Sequence, residues 1–207
     1  MNYGLKKNKM RRTLYLFDFD GTITTKDSFV HFVKNSFSNK DIFLKLFRNF
    51  FKIFFLSLTC KKKSEVKELL LSIFLKNKTK EEIEKIGVEY SRKNLDSIIR
   101  PNFLEFLSTI NKGKSDIFIV SASLDVWLSD FSNRMGFNLL CTQLEYENNV
   151  FTGFFKGENC KGIEKVNRIS KVVTLTNYDE VFSFGDSKGD KEMFELSTKY
   201  YYKPFRK

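Results

Sequence analysis

Two aspartates stand one residue apart at the end of a short apolar stretch. Residues Leu14 to Phe17 are β-rich and too few for a helix, which predicts a strand that ends at Asp18 and Asp20. Side chains two residues apart share one face of an extended chain, and Gly21 allows a sharp turn just beyond them. Carboxylates held this close need a metal ion or a shared proton. The pair therefore indicates a chemically active site.

A second acidic group follows another apolar stretch near the end of the sequence. Phe182 to Gly185 leads directly into Asp186, and Asp190 follows four residues later. If the two strands are neighbours in a parallel sheet, Asp186 faces Asp18 across the crevice at the carboxyl ends of the strands. Carboxylate oxygens are the ligands that Mg²⁺ prefers, so we expect a magnesium site there.

Two further segments could bind an anion. Phe118 to Val120 ends in Ser121, Ala122 and Ser123, whose hydroxyl and backbone groups could donate hydrogen bonds to a phosphate. Lys165 falls about one turn inside a predicted helix and could balance anionic charge. Each feature has an ordinary alternative, since serines end many strands and lysines are common on surfaces.

The composition limits the possible chemistry. The chain has 207 residues and a formal net charge of +11, which favours anionic partners: phosphate esters, anionic lipid or nucleic acid. His31 is the only histidine, which excludes histidine triads and histidine-rich metal sites. The three cysteines, Cys60, Cys141 and Cys160, form no CxxC pair, so we expect a reduced cytoplasmic protein without structural zinc. The basic start, residues 1–12, is interpreted as a frayed tail.

Strand and helix patterns alternate along the chain. Strands are predicted at Thr13 to Phe17, Asp116 to Val120 and Val181 to Phe184, with helical patterns between them, which is typical of a parallel α/β sheet. Pro101 is suited to the start of a helix and Gly136 to the end of another. Asn148 and Asn149 predict the turn of a hairpin within residues 145–155.

No strand pattern appears between Asp27 and Ile99. Helices are predicted instead over Ile42 to Leu58, over Ser64 to Lys76, and from Thr79 onward, where Glu82 completes a capping box. Residues 34–80 contain 12 basic and three acidic side chains, so most of the excess charge is in this helical insertion.

The order of these four pieces resembles the haloacid dehalogenase superfamily, in the branch similar to phosphoserine phosphatase. The resemblance spans Leu14 to Phe194. Asp18 to Thr22 resembles the first family motif, Ser121 the second, Lys165 the third, and Gly185 to Asp190 the fourth. The resemblance implies an α/β fold in which residues 1–27 and 100–207 form a Rossmann-like parallel-sheet core and residues 28–99 form a helical cap.

The resemblance also implies the roles of the acidic residues. Asp18 is then the nucleophile that forms an aspartyl phosphate, and Asp20 is the general acid and base. Mg²⁺ would be held by Asp18, Asp186 and the Asp20 backbone carbonyl, with Asp190 acting through a water molecule or orienting Lys165. Members with dehalogenase chemistry lack the acid at the position of Asp20, which favours a phosphatase.

By the same resemblance, the phosphoryl oxygens are bound by Ser121, Ala122 and Lys165. A receiver domain also uses aspartates and a lysine around an aspartyl phosphate. It would not explain the helical insertion after the first acidic loop, nor a second acidic motif after the lysine. A third class is a basic module that binds membrane or nucleic acid and retains a disused catalytic shell, although every motif residue is present.

Substrate choice is expected to depend on the insertion. Asp27 stands where phosphoserine phosphatases usually carry a glutamate that meets the substrate amino group, and aspartate is shorter. Arg48 and Arg92 are the only arginines between Asp27 and Ile99, and either could meet a substrate carboxylate or second phosphate. All three are candidate substrate residues.

One predicted helix has an unusually wide apolar face. In Ile42 to Leu56 a polar stripe of Lys45, Arg48, Asn49 and Lys52 is surrounded by apolar residues, many of them phenylalanine. The apolar face either packs against other cap helices or a partner, or contacts an anionic membrane. The second interpretation is similar in character to the apolar caps of bacterial phosphatidylglycerophosphate phosphatases, which belong to the same branch.

Together these observations predict a Mg²⁺-dependent phosphomonoesterase. We favour a lipid or amphiphile phosphomonoester as substrate, with a soluble phospho-amino acid or sugar phosphate as the alternative. The cytoplasmic location expected from the cysteines would include the inner face of the membrane for such a substrate. Nucleic acid is not an expected partner. The sequence leaves the oligomeric state open.

Overall fold

The computed structural model describes residues 12–59 and 63–206. Cys60 and most of the basic start, residues 1–11, lie outside this range. Over the described residues the chain forms seven strands: β1 (Thr13–Phe17), β2 (Ser115–Leu124), β3 (Asn138–Thr142), β4 (Leu144–Glu147), β5 (Val150–Phe155), β6 (Glu180–Gly185) and β7 (Lys199–Tyr202). The helices are α1 (Ser28–Ser36), α2 (Asn39–Arg48), α3 (Phe50–Thr59), α4 (Lys63–Leu75), α5 (Lys80–Lys93), α6 (Pro101–Ser108), α7 (Asp125–Met135), α8 (Ile163–Val172) and α9 (Lys191–Phe194).

Five strands form one parallel sheet in the order β3-β2-β1-β6-β7. Phe17, at the end of β1, is in register with Ile119 of β2 and Phe184 of β6. Strands β1 and β6 therefore end side by side, and β2 continues past them to Leu124. This arrangement confirms the expected α/β class with a Rossmann-like parallel sheet. It also places the segments that carry Asp18, Ser121 and Asp186 on the side of the sheet where the carboxyl ends of its strands lie.

Helices cover both faces of the sheet because alternate strand side chains point to opposite sides. Leu14 and Leu16 of β1 belong to the buried cluster that includes Ile169 of α8 and Met193 of α9. Phe17 belongs to the larger cluster on the other face, and its ring centroid lies 5.4 Å from that of Phe103 on α6. Both faces of β1 are therefore buried, and the strand end is held rigidly.

Several local signals in the sequence are confirmed. Pro101 is the first residue of α6, and Gly136 ends α7 with a left-handed φ of 71°. The capping box at the start of α5 is present, since the Glu82 N–H donates to the Thr79 hydroxyl and the Thr79 N–H donates to the Glu82 carboxylate. Each signal depends on residues within one turn.

The predicted hairpin is also present. Strands β4 and β5 pair antiparallel, and Asn148 and Asn149 both have left-handed φ values, 47° and 68°. Two such residues make the tight turn that matches the twist of a two-stranded ribbon. The hairpin forms a separate two-stranded sheet that packs against α4.

The single helix predicted over Ile42 to Leu58 is wrong in one respect. Helix α2 ends at Arg48 and α3 begins at Phe50, with Asn49 between them at φ −107° and ψ 10°. The Asn49 side-chain amide donates to the Lys45 carbonyl at 2.8 Å. Because asparagine offers the backbone this alternative partner, it interrupts regular helix.

Two sheet strands, β3 and β7, were not predicted. Strand β7 is an edge strand whose residues are mostly exposed, and three of its four residues are tyrosine, so it has no alternation of apolar and polar side chains. Both strands are short, at five and four residues. Their pairing with β2 and β6 decides their structure, which is a tertiary effect.

Candidate active site

Asp18 follows β1 and is bound to the neighbouring strand. Its N–H donates to the Phe184 carbonyl of β6 at 2.9 Å, and its side chain is buried. The Thr22 hydroxyl donates to Asp18 Oδ2 at 3.0 Å. One carboxylate oxygen each of Asp18, Asp186 and Asp190 lies within 4.8 Å of the other two. The two acidic segments predicted from the sequence therefore meet at one place.

Lys165 lies between two of these carboxylates. It is 1% exposed, and its Nζ donates to Asp18 Oδ1 at 2.7 Å and to Asp190 Oδ1 at 2.6 Å. Burial acts to lower the pKa of Lys165, but the two carboxylates outweigh it and raise that pKa. Burial raises the pKa of Asp18, against the attraction of Lys165. The lysine stays charged and holds Asp18 in place.

Asp190 also organises the loop that follows β6. Its Oδ2 accepts from the backbone N–H groups of Asp186 and Ser187, at 3.1 and 3.0 Å, and from the Ser187 hydroxyl. Burial would raise the pKa of Asp190, but Lys165 and the Ser187 hydrogen bonds lower it overall. With one oxygen on the lysine and the other on the loop, Asp190 has the geometry of an orienting residue.

Gly21 allows the two acidic loops to approach each other. Its φ is +76°, and a Cβ at this position would lie 2.4 Å from Oδ2 of Asp186. An L side chain here would be strained and would collide with a carboxylate. Glycine is thus required for the spacing between the first and fourth segments.

Asp20 is held by Ser28, which the sequence did not indicate, and by Ser123, which the sequence suggested as a phosphate donor instead. The Ser28 N–H donates to Asp20 Oδ1 at 2.7 Å, and the Ser123 hydroxyl donates to Oδ2. Burial raises the pKa of Asp20, and the nearby charge of Asp27 raises it further, while the Ser123 and Ser28 hydrogen bonds lower it. A carboxyl group with a raised pKa is suited to giving up and taking back a proton.

The hydrogen bonds around Asp20 continue into the protein. Ser28 Oγ lies 2.9 Å from Ser123 Oγ and accepts from the Trp127 indole N–H at 3.1 Å. The Tyr90 hydroxyl donates to the Ser28 carbonyl and lies 3.0 Å from Nδ1 of His31. Serines and aromatic residues scattered over the sequence carry no motif, so only the fold could show that they share one network.

Ser121 and Ala122 lie beside this network at the end region of β2. Ser121 is 1% exposed, and its Oγ accepts from the Ser123 N–H at 3.0 Å. The Ala122 carbonyl accepts from Lys67 Nζ at 2.7 Å. The structure thus places Asp18, Asp20, Lys165 and the Ser121 segment near one another, beside the carboxyl end of β1.

Lys67 and Arg206 are two basic residues that the sequence analysis missed. Half-buried Lys67 of α4 also lies over the Phe29 ring, 5.9 Å from its centroid; burial lowers its pKa, against the attraction of Asp20 and Asp27. Arg206 Nη2 donates to Asp186 Oδ2 at 2.6 Å and to the Gly21 carbonyl at 2.9 Å. No local pattern distinguishes either residue from the other 34 lysines and arginines.

The three candidate substrate residues occupy different surroundings. Asp27 is exposed and caps α1 by accepting from the Val30 N–H at 2.9 Å, and its charge reaches Asp20. Arg92 forms an ion pair with Asp130 of α7 at 2.9 Å. Arg48 is exposed at the end of α2. A contact between any of them and a substrate stays a prediction.

The parallel sheet, with an acidic cluster beside the carboxyl end of β1, defines a Rossmann-like α/β protein. Residues 15–195 match the family model of haloacid dehalogenase-like hydrolases, and the chain belongs to that family. The family expected from the sequence is thereby confirmed, as is its general class of enzyme, a hydrolase.

The chain is similar to a curated bacterial protein along most of its length. It is 30% identical over 201 residues to "Protein CicA" of Caulobacter vibrioides strain NA1000 / CB15N, covering 93% of this chain and 86% of the relative.

Solved structures share the fold at lower identity. A protein with unknown function from Bordetella pertussis Tohama I superposes with a TM-score of 0.75 at 19% identity, covering 92% of this chain and 89% of that one. A substrate-bound phosphoserine phosphatase superposes with a TM-score of 0.62 at 17% identity, covering 93% and 86%. A phospho-aspartyl intermediate analogue of phosphoserine phosphatase gives 0.61 at 18%, covering 92% and 85%. The fold is therefore phosphoserine phosphatase-like, as the sequence predicted.

Proposed function

We propose that the protein is a Mg²⁺-dependent phosphomonoesterase that forms an aspartyl phosphate on Asp18. The observation that carries this proposal is that Lys165 contacts both Asp18 and Asp190, just beyond the carboxyl end of β1. The Asp18 carboxylate is thereby fixed beside the Lys165 cation and the Thr22 hydroxyl donor. Fixed charge and positioned groups of this kind are what phosphoryl transfer needs.

The donor set is suited to the proposed ion. Asp18, Asp186 and Asp190 present carboxylate oxygens within 4.8 Å of one another, with no nitrogen or sulfur ligand in the cluster. Hard oxygen ligands are typical of Mg²⁺ sites. Asp18 and Asp186 would hold the ion together with the Asp20 carbonyl, and Asp190 would orient Lys165. When bound, the ion supplies positive charge to the phosphoryl oxygens.

In the proposed first step, a carboxylate oxygen of Asp18 attacks the phosphorus atom and the bond to the ester oxygen breaks. Asp20 gives its proton to that departing oxygen. Asp20 then takes a proton from a water molecule, whose oxygen attacks the phosphorus while the bond to Asp18 breaks. Phosphate leaves and both aspartates regain their starting states.

The remaining groups of the site would bind the substrate or orient Asp20. Lys165 and the donors of Ser121 and Ala122 would bind the phosphoryl oxygens. Ser28 and Ser123 orient Asp20 through the hydrogen bonds described above. We also propose residues 28–99 as a cap over a core of residues 1–27 and 100–207. Two residues of that segment contact the candidate active site, Ser28 through Asp20 and Lys67 through the Ala122 carbonyl.

The substrate class proposed is a phosphomonoester on a lipid or another amphiphile. Helices α2 and α3 of the proposed cap expose many phenylalanine side chains, which would suit the membrane surroundings of an amphiphilic substrate. A micellar lipid phosphomonoester compared with O-phosphoserine and sugar phosphates, by kcat/KM, tests this preference. Faster turnover of the soluble esters would favour the alternative.

Asp18→Asn tests the reaction itself. Phosphate release from p-nitrophenyl phosphate with Mg²⁺ should fall by about a thousandfold or more, because the amide cannot act as nucleophile. Rapid quenching with labelled substrate should give a hydroxylamine-sensitive label on the parent and none on the variant. Asp41→Asn, on exposed α2, is the matched control. Parent-like activity of Asp18→Asn would refute the proposal.

A further inference from the structure

Helices α2 and α3 carry an exposed aromatic face. Of the 15 large hydrophobic side chains exposed in the described chain, eight are on these two helices. Six of the eight are phenylalanines with exposed fractions of 47% to 73%: Phe43, Phe47, Phe50, Phe51, Phe54 and Phe55. We call these six the aromatic face. Apolar patches of this kind mark interaction surfaces rather than ordinary solvent-facing helices.

The rings of this face contact each other instead of the protein core. Phe43 stacks on Phe47 with centroids 5.9 Å apart, and Phe50 on Phe54 at 6.0 Å. Neither α2 nor α3 has a fully buried residue. The helices present their bulkiest side chains outward.

The polar stripe predicted from the sequence is partly turned inward. Lys45 Nζ donates to the Phe74 carbonyl of α4 at 3.4 Å and lies 5.4 Å from the centroids of both the Phe37 and Phe74 rings. Ile42 and Leu46 pack against the core beside it. An amphipathic helix in water would instead bury its phenylalanines and expose its lysine. The outward aromatic side is therefore arranged for an apolar partner.

We propose that the aromatic face docks in the plane of an anionic lipid bilayer. Basic residues flank it: Arg48 and Lys52 are exposed next to Phe47 and Phe51, and Asp41 is the only acidic residue of α2 and α3. Three lysines, residues 61–63, follow Cys60, one residue beyond the end of α3 in the sequence. Phenylalanine in the acyl boundary and lysine or arginine at the headgroups are typical of interfacial helices.

The charge around the aromatic face favours an anionic bilayer over a second copy of the chain as its partner. A symmetric dimer through the aromatic face would bring two like-charged basic rims together, whereas anionic headgroups neutralise them. Across the described residues, no helix is long and apolar enough to cross a membrane.

Docking would bring the candidate active site towards the bilayer. Helix α4 packs against both α2 and α3, and its Lys67 contacts Ala122 at the candidate active site. Binding to lipid does not depend on the proposed function. Only the delivery of a membrane phosphomonoester to Asp18 rests on it.

Vesicle flotation of the full chain tests the docking. The parent should float with vesicles of equal parts phosphatidylcholine and phosphatidylglycerol, and much less with phosphatidylcholine alone. The double variant Phe47→Ser with Phe51→Ser should weaken binding by about tenfold or more, because two rings no longer leave water. Leu104→Ser with Phe154→Ser, also exposed but outside the face, is the matched control and should bind like the parent.

A charge variant keeps the proposal testable if the double variant misfolds. Lys52→Glu should weaken flotation. Lys114→Glu should not, because Lys114 is exposed just before the start of β2 and lies outside α2 and α3. Unchanged hydrolysis of a soluble ester by the aromatic-face variants separates docking from catalysis. No flotation of a folded parent, or flotation insensitive to both sets of variants, would overturn the proposal. So would a dimer in sedimentation analysis that these substitutions dissolve without any lipid binding.

Discussion

The backbone N–H of Ser28 donates to Oδ1 of Asp20 at 2.7 Å, so the first residue of α1 holds the proposed general acid. This contact joins the start of the helical insertion to the loop after β1. Any movement of α1 would change the hydrogen bonding of Asp20 and therefore its pKa. The proposed substrate choice by the insertion and the proposed proton transfer by Asp20 are thus linked by one hydrogen bond.

Asp27→Asn should shift the pH dependence of catalysis. Burial and then the Asp27 charge raise the pKa of Asp20, so removing that charge lowers it. Asp20 must be protonated to act as acid, and activity is lost as pH rises through its pKa. We therefore expect the alkaline limb of kcat/KM to move to lower pH, measured with p-nitrophenyl phosphate.

Asparagine still caps a helix, so this change should leave α1 intact. Asp41→Asn removes the same charge far from the motif segments in sequence and should leave the profile unchanged. An unmoved alkaline limb together with a raised KM for amino-bearing esters would instead indicate that Asp27 binds substrate.

Lys165→Met should destabilise the protein as well as inactivate it. The change leaves the buried carboxylates of Asp18 and Asp190 without their shared cation. Removing one partner from a buried ion pair costs about 3–5 kcal/mol. Chemical denaturation should show this loss of unfolding free energy, whereas the exposed Lys191→Met should cost little. An unfolding free energy equal to that of the parent would contradict the assigned role of the lysine.

Lys67→Gln should weaken substrate binding more than turnover. The ammonium lies near Asp20 and Asp27 and contacts the Ala122 carbonyl, where an anionic substrate would meet its charge. We expect KM to rise about tenfold with kcat changed little, the pattern of lost ground-state binding. Lys67→Arg should retain much of the affinity. The exposed Lys76→Gln, just beyond α4, is the control. A lower kcat at unchanged KM would assign Lys67 to the reaction step instead.

Gly21→Ala should impair the metal site specifically. The new Cβ would collide with Asp186 Oδ2, and φ at this position is +76°. We expect a higher Mg²⁺ concentration for half-maximal activity and a stability loss of about 1–3 kcal/mol. Gly136→Ala is a close control, because its φ is +71° but no atom lies within 4 Å of the added carbon. Equal effects of both variants on Mg²⁺ dependence would count against the proposed site.

The sequence alone was sufficient for features set by neighbouring residues. The strand ending at Asp18, the capping box of Thr79 and Glu82, and the Asn148–Asn149 turn depend on backbone preferences and contacts within a few positions. The order of the acidic, serine and lysine segments was also enough to identify the family by resemblance, and the family match confirms it.

Only the tertiary structure decided which distant side chains share a hydrogen bond or face solvent. Ser28, Lys67 and Arg206 reach the site from 8 to 185 positions away, so no local pattern could reveal them. The outward direction of the phenylalanines on α2 and α3, and the inward direction of Lys45, follow from how those helices pack on α4. Periodicity defines the faces of a helix, but the neighbouring elements decide which face is buried.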